Sequence, residues 1–229
     1  MKQAHSTFSA ILSIFLLAGC HFGEVNKGPE TTGPEPTPWM EVGKDSLSVE
    51  AYLATSEPIA MYAALQEIFK DRNIAQMNMV SNSSSDLTAL AERIPLYSYI
   101  LLDERKGTDS GVQVTVENGR VKSIYLNSGK KLSRWPESGS AKETIREGDA
   151  AEQLYGKFSE IKGRKSYAKK FERISLATKD MTKPFDPEMG RLPQWYFGYS
   201  TGDRTMEQVG VYLVNGKGSH VVVTKYKQW

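Results

Sequence analysis

Nucleophilic and metal-binding side chains are scarce in this sequence. The chain has a single cysteine, Cys20, and after it the only histidines are His21 and His220. Catalysis by a Ser-His-Asp or Cys-His arrangement needs a histidine beside the nucleophile. Because His21 lies in the segment directly after Cys20, His220 is the one histidine that could act as such a base. Zinc needs three or four nitrogen, sulfur or carboxylate ligands, and the sequence holds no clustered set; it also lacks a glycine-rich phosphate loop. We therefore expect no metal, no cofactor and no catalytic residue.

Carboxylates are the remaining candidates for acid-base chemistry. Asp180, Asp186 and Glu188 lie close together in a segment that also contains Pro184 and Pro187. A glycosidase uses two acids about 5–10 Å apart, and a calcium site needs a denser set of oxygen ligands with a glycine at a fixed place. Neither pattern is met, and the prolines favour a rigid surface loop. We assign Asp186 and Glu188 to a surface that contacts a protein partner.

Cys20 ends an apolar run that extends from Phe8 to Ala18. The run is too short to span a hydrocarbon core of about 30 Å and is typical of an export signal. The tetrapeptide Leu17-Ala18-Gly19-Cys20 resembles the lipobox of bacterial lipoproteins. The alternative is an ordinary secretory signal followed by an unrelated cysteine.

The lipobox resemblance implies that residues 1–19 are a signal peptide and that Cys20 is acylated at the mature N-terminus. Two or three acyl chains anchor a protein stably, since each buried methylene contributes about 0.8 kcal/mol. By resemblance to enterobacterial lipoproteins, the absence of an aspartate after Cys20 favours the outer membrane over the inner, with the protein facing the periplasm. The membrane partner is therefore expected to be bound through N-terminal acyl chains.

Residues 20–45 have the composition of a tether. The segment is rich in proline and glycine and has few apolar residues, so it cannot bury enough surface to offset its chain entropy. Proline-rich linkers are semi-extended, and a tether of about 20 residues can hold a domain several tens of ångströms from the lipid. We predict that the folded region begins near Ser46.

The overall composition is that of an ordinary globular protein. The chain is 39% hydrophobic and 24% charged, with a formal net charge of +2, which excludes a disordered chain and gives no electrostatic case for nucleic acid. One stretch between Lys162 and Arg173 is rich in basic residues. It is either a solvated surface or a contact with anionic headgroups, since each charge near a membrane contributes about 1 kcal/mol.

A hairpin pattern occurs twice. Val112, Val114 and Val116 alternate with polar residues and lead into Asn118-Gly119, a strong turn signal because both residues accept positive φ. A second alternating run, from Val209 to Leu213, leads in the same way into Asn215-Gly216. With a loop of two or four residues, His220 shares the face of Val209 and is expected to be a packed histidine rather than a catalytic one.

Each hairpin follows a strand candidate and a helix candidate. The strand candidates are residues 97–102 and 195–199, and the helix candidates with apolar residues near helical spacing are residues 58–71 and 149–161. A further helix is predicted over residues 85–93, while residues 166–177 fit either a helix or a strand. The fold class predicted is therefore α+β. It consists of two tandem helix-plus-antiparallel-sheet units, residues 46–135 and 136–229, each with an Asn-Gly hairpin.

The segment from Ile145 to Tyr155, which reads IREGDAAEQLY, resembles the helix entry of small envelope lipoproteins of the SmpA/OmlA group. β-Lactamase-inhibitor-like (BLIP-like) proteins share that entry and are built as tandem helix-plus-sheet repeats. The strand-and-turn pattern that follows it in both groups is matched approximately by residues 209–218 and 112–121. The resemblance implies binding to a protein without catalysis.

An aromatic strand suggests where a partner binds. Alternation places Trp195, Phe197 and Tyr199 on one face of the sheet, covered by a helix, and Tyr196 on the other face with Tyr212. Tyrosine and tryptophan are the usual anchors of protein interfaces. We therefore predict that Tyr196 and Tyr212 contact the partner, unless that face is also covered and belongs to the core.

Three functional hypotheses follow from these observations. The first is a lipid-anchored, periplasm-facing protein that binds a protein partner, as an inhibitor, an immunity factor or an envelope-assembly accessory. The second is an envelope enzyme, such as a carboxylate-dependent cell-wall hydrolase. The third is a carrier of a lipid or other small apolar ligand. The first is favoured because the sequence lacks catalytic residue patterns.

Overall fold

A single large antiparallel sheet dominates the fold. The computed structural model describes residues 38–228. The longer strands are β1 (Trp39–Ser48), β2 (Gln76–Met79), β4 (Tyr97–Asp103), β5 (Val112–Glu117), β6 (Arg120–Leu126), β10 (Arg173–Asp180), β11 (Gln194–Gly202), β12 (Thr205–Val214) and β13 (Lys217–Gln228). The two-residue strands are β3 (Ser83–Ser84), β7 (Lys131–Leu132), β8 (Arg134–Trp135) and β9 (Ile145–Arg146). The α-helices are α1 (Val49–Leu53), α2 (Pro58–Asp71) and α3 (Leu154–Gly163).

The strands follow the order β1-β13-β12-β11-β2-β10-β4-β5-β6-β7, and every pair in this series is antiparallel. β3 continues the line of β2 and pairs with β10 further along that strand, which gives the sheet 11 strands. β8 and β9 form a separate pair.

The prediction of two tandem helix-plus-sheet units is wrong, because the two halves of the chain share one sheet. β2 belongs to the first half but lies between β10 and β11, and β10 belongs to the second half but lies between β2 and β4. Each half therefore places one of its strands among the strands of the other half. The fold is a broad antiparallel sheet with few helices, and no boundary separates its two ends.

Both predicted Asn-Gly hairpins are present and have the same geometry. Asn118 and Gly119 have φ values of 52° and 72°, and Asn215 and Gly216 have values of 51° and 75°, as a tight turn with two left-handed residues requires. After each turn the returning strand has one extra residue, at position 122 in β6 and position 219 in β13. The repeated sequence pattern therefore encodes a repeated hairpin, although it does not encode two domains.

The helix predictions are met unevenly. α2 has the predicted bounds, with Pro58 at its first position, where the missing amide hydrogen costs nothing. The predicted helix over residues 149–161 begins later, at Leu154, because residues 151–153 form a 3₁₀ turn. The predicted helix over residues 85–93 is wrong: only Thr88–Leu90 form a short 3₁₀ turn.

Strand structure extends further than the sequence pattern indicates. β1 begins at Trp39, before the predicted folded start at Ser46, and pairs with β13 from His220 to Gln228. Residues 200–208, which are mostly polar, belong mostly to β11 and β12, which are joined by a tight turn with Arg204 at φ 55°. Residues 40–48 and 200–204 are mostly exposed, so their sequences do not alternate between polar and apolar residues, and the pattern therefore did not predict strands there.

The core lies between one face of the sheet and the helices. The ring of Phe69 on α2 meets the edge of Phe197 on β11, with the ring centres 4.4 Å apart. A Cβ atom at Gly218 would lie 2.6 Å from the sulfur of Met61, so a side chain at this position of β13 would have to displace the end of the Met61 side chain on α2. Towards the other end of the sheet, Val114 and Ile124 lie on the same face and are fully buried in the same continuous core.

Candidate partner-binding face

β11 directs alternate side chains to opposite faces of the sheet. Trp195 and Phe197 are buried, and the indole nitrogen of Trp195 donates a hydrogen bond of 2.9 Å to the carbonyl of Met189. Tyr196, between them, is only half-buried. Because Phe69 of α2 contacts Phe197, the buried row is the one beneath the helices. Tyr196 therefore lies on the opposite side, which we call the open face.

The strand register identifies the other residues of the open face, since residues directly opposite one another share a face. Tyr196 lies opposite Asn78 and Gly210, and the series continues outward to Val222 on one side and Tyr99 on the other. The residues in the middle of the open face include Asn78, Tyr99, Leu101, Gln113, Thr115, Thr178, Tyr196, Gln208, Gly210, Tyr212, His220, Val222 and Thr224.

The centre of the open face carries no aspartate, glutamate, lysine or arginine. Its three tyrosines, Tyr99, Tyr196 and Tyr212, are half-buried, and burial raises the pKa of Tyr99 to about 12. Antiparallel sheets commonly leave one face in water, but such faces are usually rich in charge. Depletion of charge together with enrichment in tyrosine is the composition found at the centre of protein interfaces.

Tyr212 and His220 form a flat aromatic pair on the open face. Their ring centres are 4.5 Å apart and the planes are inclined by only 3°. The two residues are directly opposite one another on β12 and β13, and His220 is flanked by Ser48 of β1 on its other side. The pair widens the apolar surface that begins at Tyr196.

The prediction that His220 packs on the face of Val209 is wrong, and the bulge in β13 explains why. The turn has two residues, so uninterrupted pairing would place His220 opposite Val211, one position away from its observed partner, Tyr212. The extra residue, Ser219, moves every later residue of β13 to the other face. His220 is therefore a surface residue, and the alternation of polar and apolar residues in β13 does not mark that insertion.

Gly210 lets neighbouring side chains lie close to the sheet. A Cβ atom at this position would be 3.0 Å from the amide nitrogen of Gln194 and 3.2 Å from the ring of Tyr212. The side chains of Gln194 and Tyr212 therefore lie over the backbone of Gly210, which makes the open face flatter at this point. A flat surface of this kind suits a partner that is itself flat or extended.

Asp186, predicted to contact a partner, is fully buried instead. Its Oδ2 atom accepts a hydrogen bond of 2.9 Å from Nε of Arg93 and one of 2.6 Å from the hydroxyl of Tyr97. Its Oδ1 atom caps the 3₁₀ turn Pro187–Arg191 through the amide of Glu188. The carboxylate thus fixes the loop that covers Trp195, and its side chain is not available to a partner.

Glu188 remains at the surface. Both of its carboxylate oxygens accept hydrogen bonds from Nη1 of Arg191, at 2.9 and 3.0 Å, and its side chain is 42% exposed. The loop lies on the helix side, beside Pro58, whose ring is close to Gly190. The structure therefore brings together Tyr196 and Tyr212 on the open face, and it places Asp186 and Glu188 elsewhere.

A buried lysine was missed by the sequence reasoning. Lys179 has no exposed surface, and its ammonium group donates to the carbonyls of Asp180 and Lys183 at 2.9 and 3.4 Å. It also lies 5.4 Å from the ring centre of Tyr62 and 6.0 Å from that of Tyr97. Burial lowers the pKa of Lys179 to about 8, against the opposing effect of Asp180 and Asp186.

The lowered pKa of Lys179 predicts a stability that rises with pH. An unfolded lysine has a pKa of about 10.4, so between about pH 8 and pH 10 the unfolded chain binds more protons than the folded one. The free energy of unfolding should therefore increase over that interval. Lys179→Met keeps the volume and removes the titrating group, so its stability should show no such rise.

Urea unfolding of both proteins at pH 7, 8, 9 and 10 measures this difference. Tyr62 and Tyr97 have pKa values raised by burial, so their ionisation in the unfolded chain lowers stability above about pH 10 in both proteins. It therefore cancels in the comparison. Parallel stability curves for wild type and Lys179→Met would contradict the assignment.

A second buried carboxylate organises the loop that follows β4. Asp103 accepts hydrogen bonds from the backbone amides of Glu104 and Thr108 and from the side chains of Asn127 and Arg173, all between 2.8 and 3.1 Å. The dense set of donors is explained by loop structure. It belongs to the fold rather than to a ligand site.

The basic stretch is partly used inside the protein. Lys170 donates to Glu104 at 2.8 Å and to Ser110 at 2.7 Å, and Arg173 pairs with Asp103. Arg164 lies over the ring of Tyr167. The stretch therefore does not present a continuous row of cations for anionic headgroups.

The predicted acylation site and signal peptide lie outside the residues described. This holds for Cys20, for residues 1–19 and for the first part of the predicted tether. Within residues 38–228, no helix is long and apolar enough to cross a membrane. In the same part of the chain, no group of three or more histidine, cysteine, aspartate or glutamate side chains is arranged to hold a metal ion.

Comparison with known proteins gives no relative. No family model, no curated protein and no solved structure matches this chain. A functional assignment therefore rests on the residues and geometry described above.

Proposed function

We propose that this protein is anchored by acyl chains on Cys20, faces the periplasm from the outer membrane, and binds a protein partner through the open face without catalysing a reaction. The observation that carries the proposal is the charge-free, tyrosine-bearing centre of the open face around Tyr196 and Tyr212. Burying such a surface requires no desolvation of ions, which is why interface centres have this composition.

The rigidity of the open face supports the same function. Tyr196 and Tyr212 are held on two adjacent inner strands, β11 and β12, of a five-strand region, β1-β13-β12-β11-β2, and the ring of Tyr212 also stacks on His220. Aromatic side chains that are already ordered lose little conformational entropy on binding. An inhibitor, an immunity factor and an assembly accessory all need such a preformed surface.

The hydrolase alternative has less support because two of its three candidate acids, Asp186 and Glu188, are already paired with arginines. Asp186 is buried against Arg93, and Glu188 pairs with Arg191. A glycosidase needs one carboxylic acid and one carboxylate on either side of a bound sugar. An apolar carrier is supported less than protein binding because Val114, Ile124, Trp195 and Phe197 already fill the space under the helices.

Acylation is tested by replacing the cysteine. Cys20→Ser is expected to abolish incorporation of labelled palmitate and to leave the precursor uncleaved at this site, because the thiol is the acceptor of the lipid. Wild type is expected to take up label and to sediment with the envelope. Label retained by Cys20→Ser would show that the lipid is elsewhere or that the signal is an ordinary secretory one.

Protein binding is tested by site-specific photo-crosslinking in intact cells. A photoreactive phenylalanine analogue in place of Tyr212 is expected to capture one protein, because Tyr212 lies at the centre of the proposed interface. The matched control is the same analogue at Ile59, which is apolar and 64% exposed but lies on α2, at the other side of the sheet. No product at position 212, or the same products at both positions, would contradict the proposal.

A further inference from the structure

The end of the sheet at which the chain enters β1 carries exposed apolar side chains. Met40 is 47% exposed and Val42 is 56% exposed, and Trp39 and Tyr226 are half-buried beside them. Val42 is the extra residue of a bulge in β1, so it does not pair with β13. These four residues are the entry edge of the sheet.

The entry edge and the Asn-Gly hairpin of β12 and β13 lie at opposite ends of the same strands. Trp39 pairs with Gln228, and Thr205 at the start of β12 pairs with Lys227, whereas Val214 at the end of β12 is next to the Asn215-Gly216 turn. A strand of this length separates its ends by about 30 Å, at about 3.3 Å per residue. The two ends can therefore be distinguished by their distance from a surface.

We infer that the entry edge rests in the headgroup region of the bilayer that holds the acyl chains. This inference relies on the acylation part of the proposed function. Trp39 is only 19 positions after Cys20 (39 − 20), so the edge is the part of the described chain nearest in sequence to the lipid. Tryptophan and tyrosine, with an apolar ring and a polar group, are the residues that favour membrane interfaces.

Tethering makes a weak apolar contact sufficient. Once the acyl chains are inserted, the domain meets the bilayer at an effective concentration set by the linker, about millimolar for short flexible linkers. The contact then needs no strong affinity of its own. Because Glu41 and Arg204 are both exposed at this end, the edge carries charges of both signs, and the contact is apolar rather than electrostatic.

The opposing possibility is that the tether holds the domain away from the lipid, as its proline content permits. In that case the entry edge stays in water. The two arrangements differ in a measurable way, because only a contact brings Met40 and Val42 within reach of quenching groups placed near the lipid headgroups.

The test uses the mature acylated protein in vesicles of phosphatidylethanolamine and phosphatidylglycerol. Met40→Cys is labelled with an environment-sensitive thiol dye, and quenching by phospholipid spin-labelled near the headgroup is measured. Val42→Cys is a second reporter at the same edge. Val214→Cys is the matched control, since Val214 is apolar and 57% exposed but lies at the other end of β12.

Dyes at positions 40 and 42 are expected to shift to shorter wavelength and to be quenched at least about twofold more than the dye at position 214, as for groups within the 5–10 Å interfacial layer. Raising the salt concentration should not change this. Equal quenching at positions 40, 42 and 214 would overturn the inference.

The stoichiometry of labelling separates this inference from the anchor itself. If Cys20 is acylated, each variant has one free thiol and takes up one dye. Two dyes per chain would show that Cys20 is free, which contradicts the acylation proposal. One dye per chain with no quenching at positions 40 and 42 would leave the anchor intact and overturn only the bilayer contact.

Discussion

Asp186→Ala is expected to lower the free energy of unfolding by about 3–5 kcal/mol, which is the cost of leaving a buried partner charge uncompensated. Asp186 has no exposed side-chain surface, and the side chain of Arg93 is only 16% exposed. Removing the carboxylate leaves the guanidinium of Arg93 and the hydroxyl of Tyr97 without their shared acceptor. It also removes the cap of the 3₁₀ turn at Pro187–Arg191.

Glu188→Ala is the matched control for this change. It removes a carboxylate from the same loop, but the pair with Arg191 is exposed, and exposed ion pairs contribute about 0–1 kcal/mol. Urea unfolding of the two variants measures the difference. A loss below about 1 kcal/mol for Asp186→Ala, or equal losses for the two variants, would contradict a structural role for the buried carboxylate.

Trp195→Ala is expected to cost about 3–5 kcal/mol, and Tyr196→Ala about 1 kcal/mol or less. Trp195 is fully buried, contacts the ring of Phe185 and donates to the carbonyl of Met189, so its removal leaves a cavity and an unpaired acceptor. Tyr196 is the next residue, yet it is half-buried and lies opposite Gly210 and Asn78. Because the two residues are neighbours on the same strand, the comparison isolates the difference between the two faces of the sheet.

Equilibrium unfolding in urea checks this second prediction, with the midpoint and the slope reported separately. Equal losses at positions 195 and 196 would show that the open face is packed as tightly as the core. The interface would then have to lie in the loops, and the segment that carries Glu188 would be the next candidate.

Local features of the fold could be predicted from the sequence, since their causes are local. Proline at position 58 fixed the start of α2, and the Asn-Gly pairs fixed both hairpins through their tolerance of positive φ. The alternation in β11 correctly separated Trp195 from Tyr196. Each of these features depends on residues fewer than about five positions apart.

The order of the strands could not be predicted in the same way. The exchange of β2 and β10 between the two halves of the sheet depends on pairs about 100 positions apart, such as Asn78 with Thr178. Nothing in the local pattern of either strand specifies its neighbours. The repeated hairpins were therefore interpreted as two units, and the pairing that joins them was missed.

Single-residue insertions and long-range ion pairs limited the prediction of the site. The bulge at Ser219 places His220 on the open face. The alternation of polar and apolar residues in the sequence does not reveal this bulge. Asp186 was assigned to the surface because prolines surround it, whereas its partner Arg93 is 93 positions earlier in the chain. Lys179 was missed for the same reason: its neighbours Tyr62 and Tyr97 are far from it in sequence.

The most direct test of partner binding is the affinity of the crosslinked partner for open-face variants. With that partner purified, titration calorimetry should show Tyr196→Ala and Tyr212→Ala weakening binding by about 1–4 kcal/mol, the range of aromatic hot spots. Ile59→Ala, on the helix side, should leave the dissociation constant unchanged. Unchanged affinity for both tyrosine variants, or an equal loss for Ile59→Ala, would contradict binding through the open face.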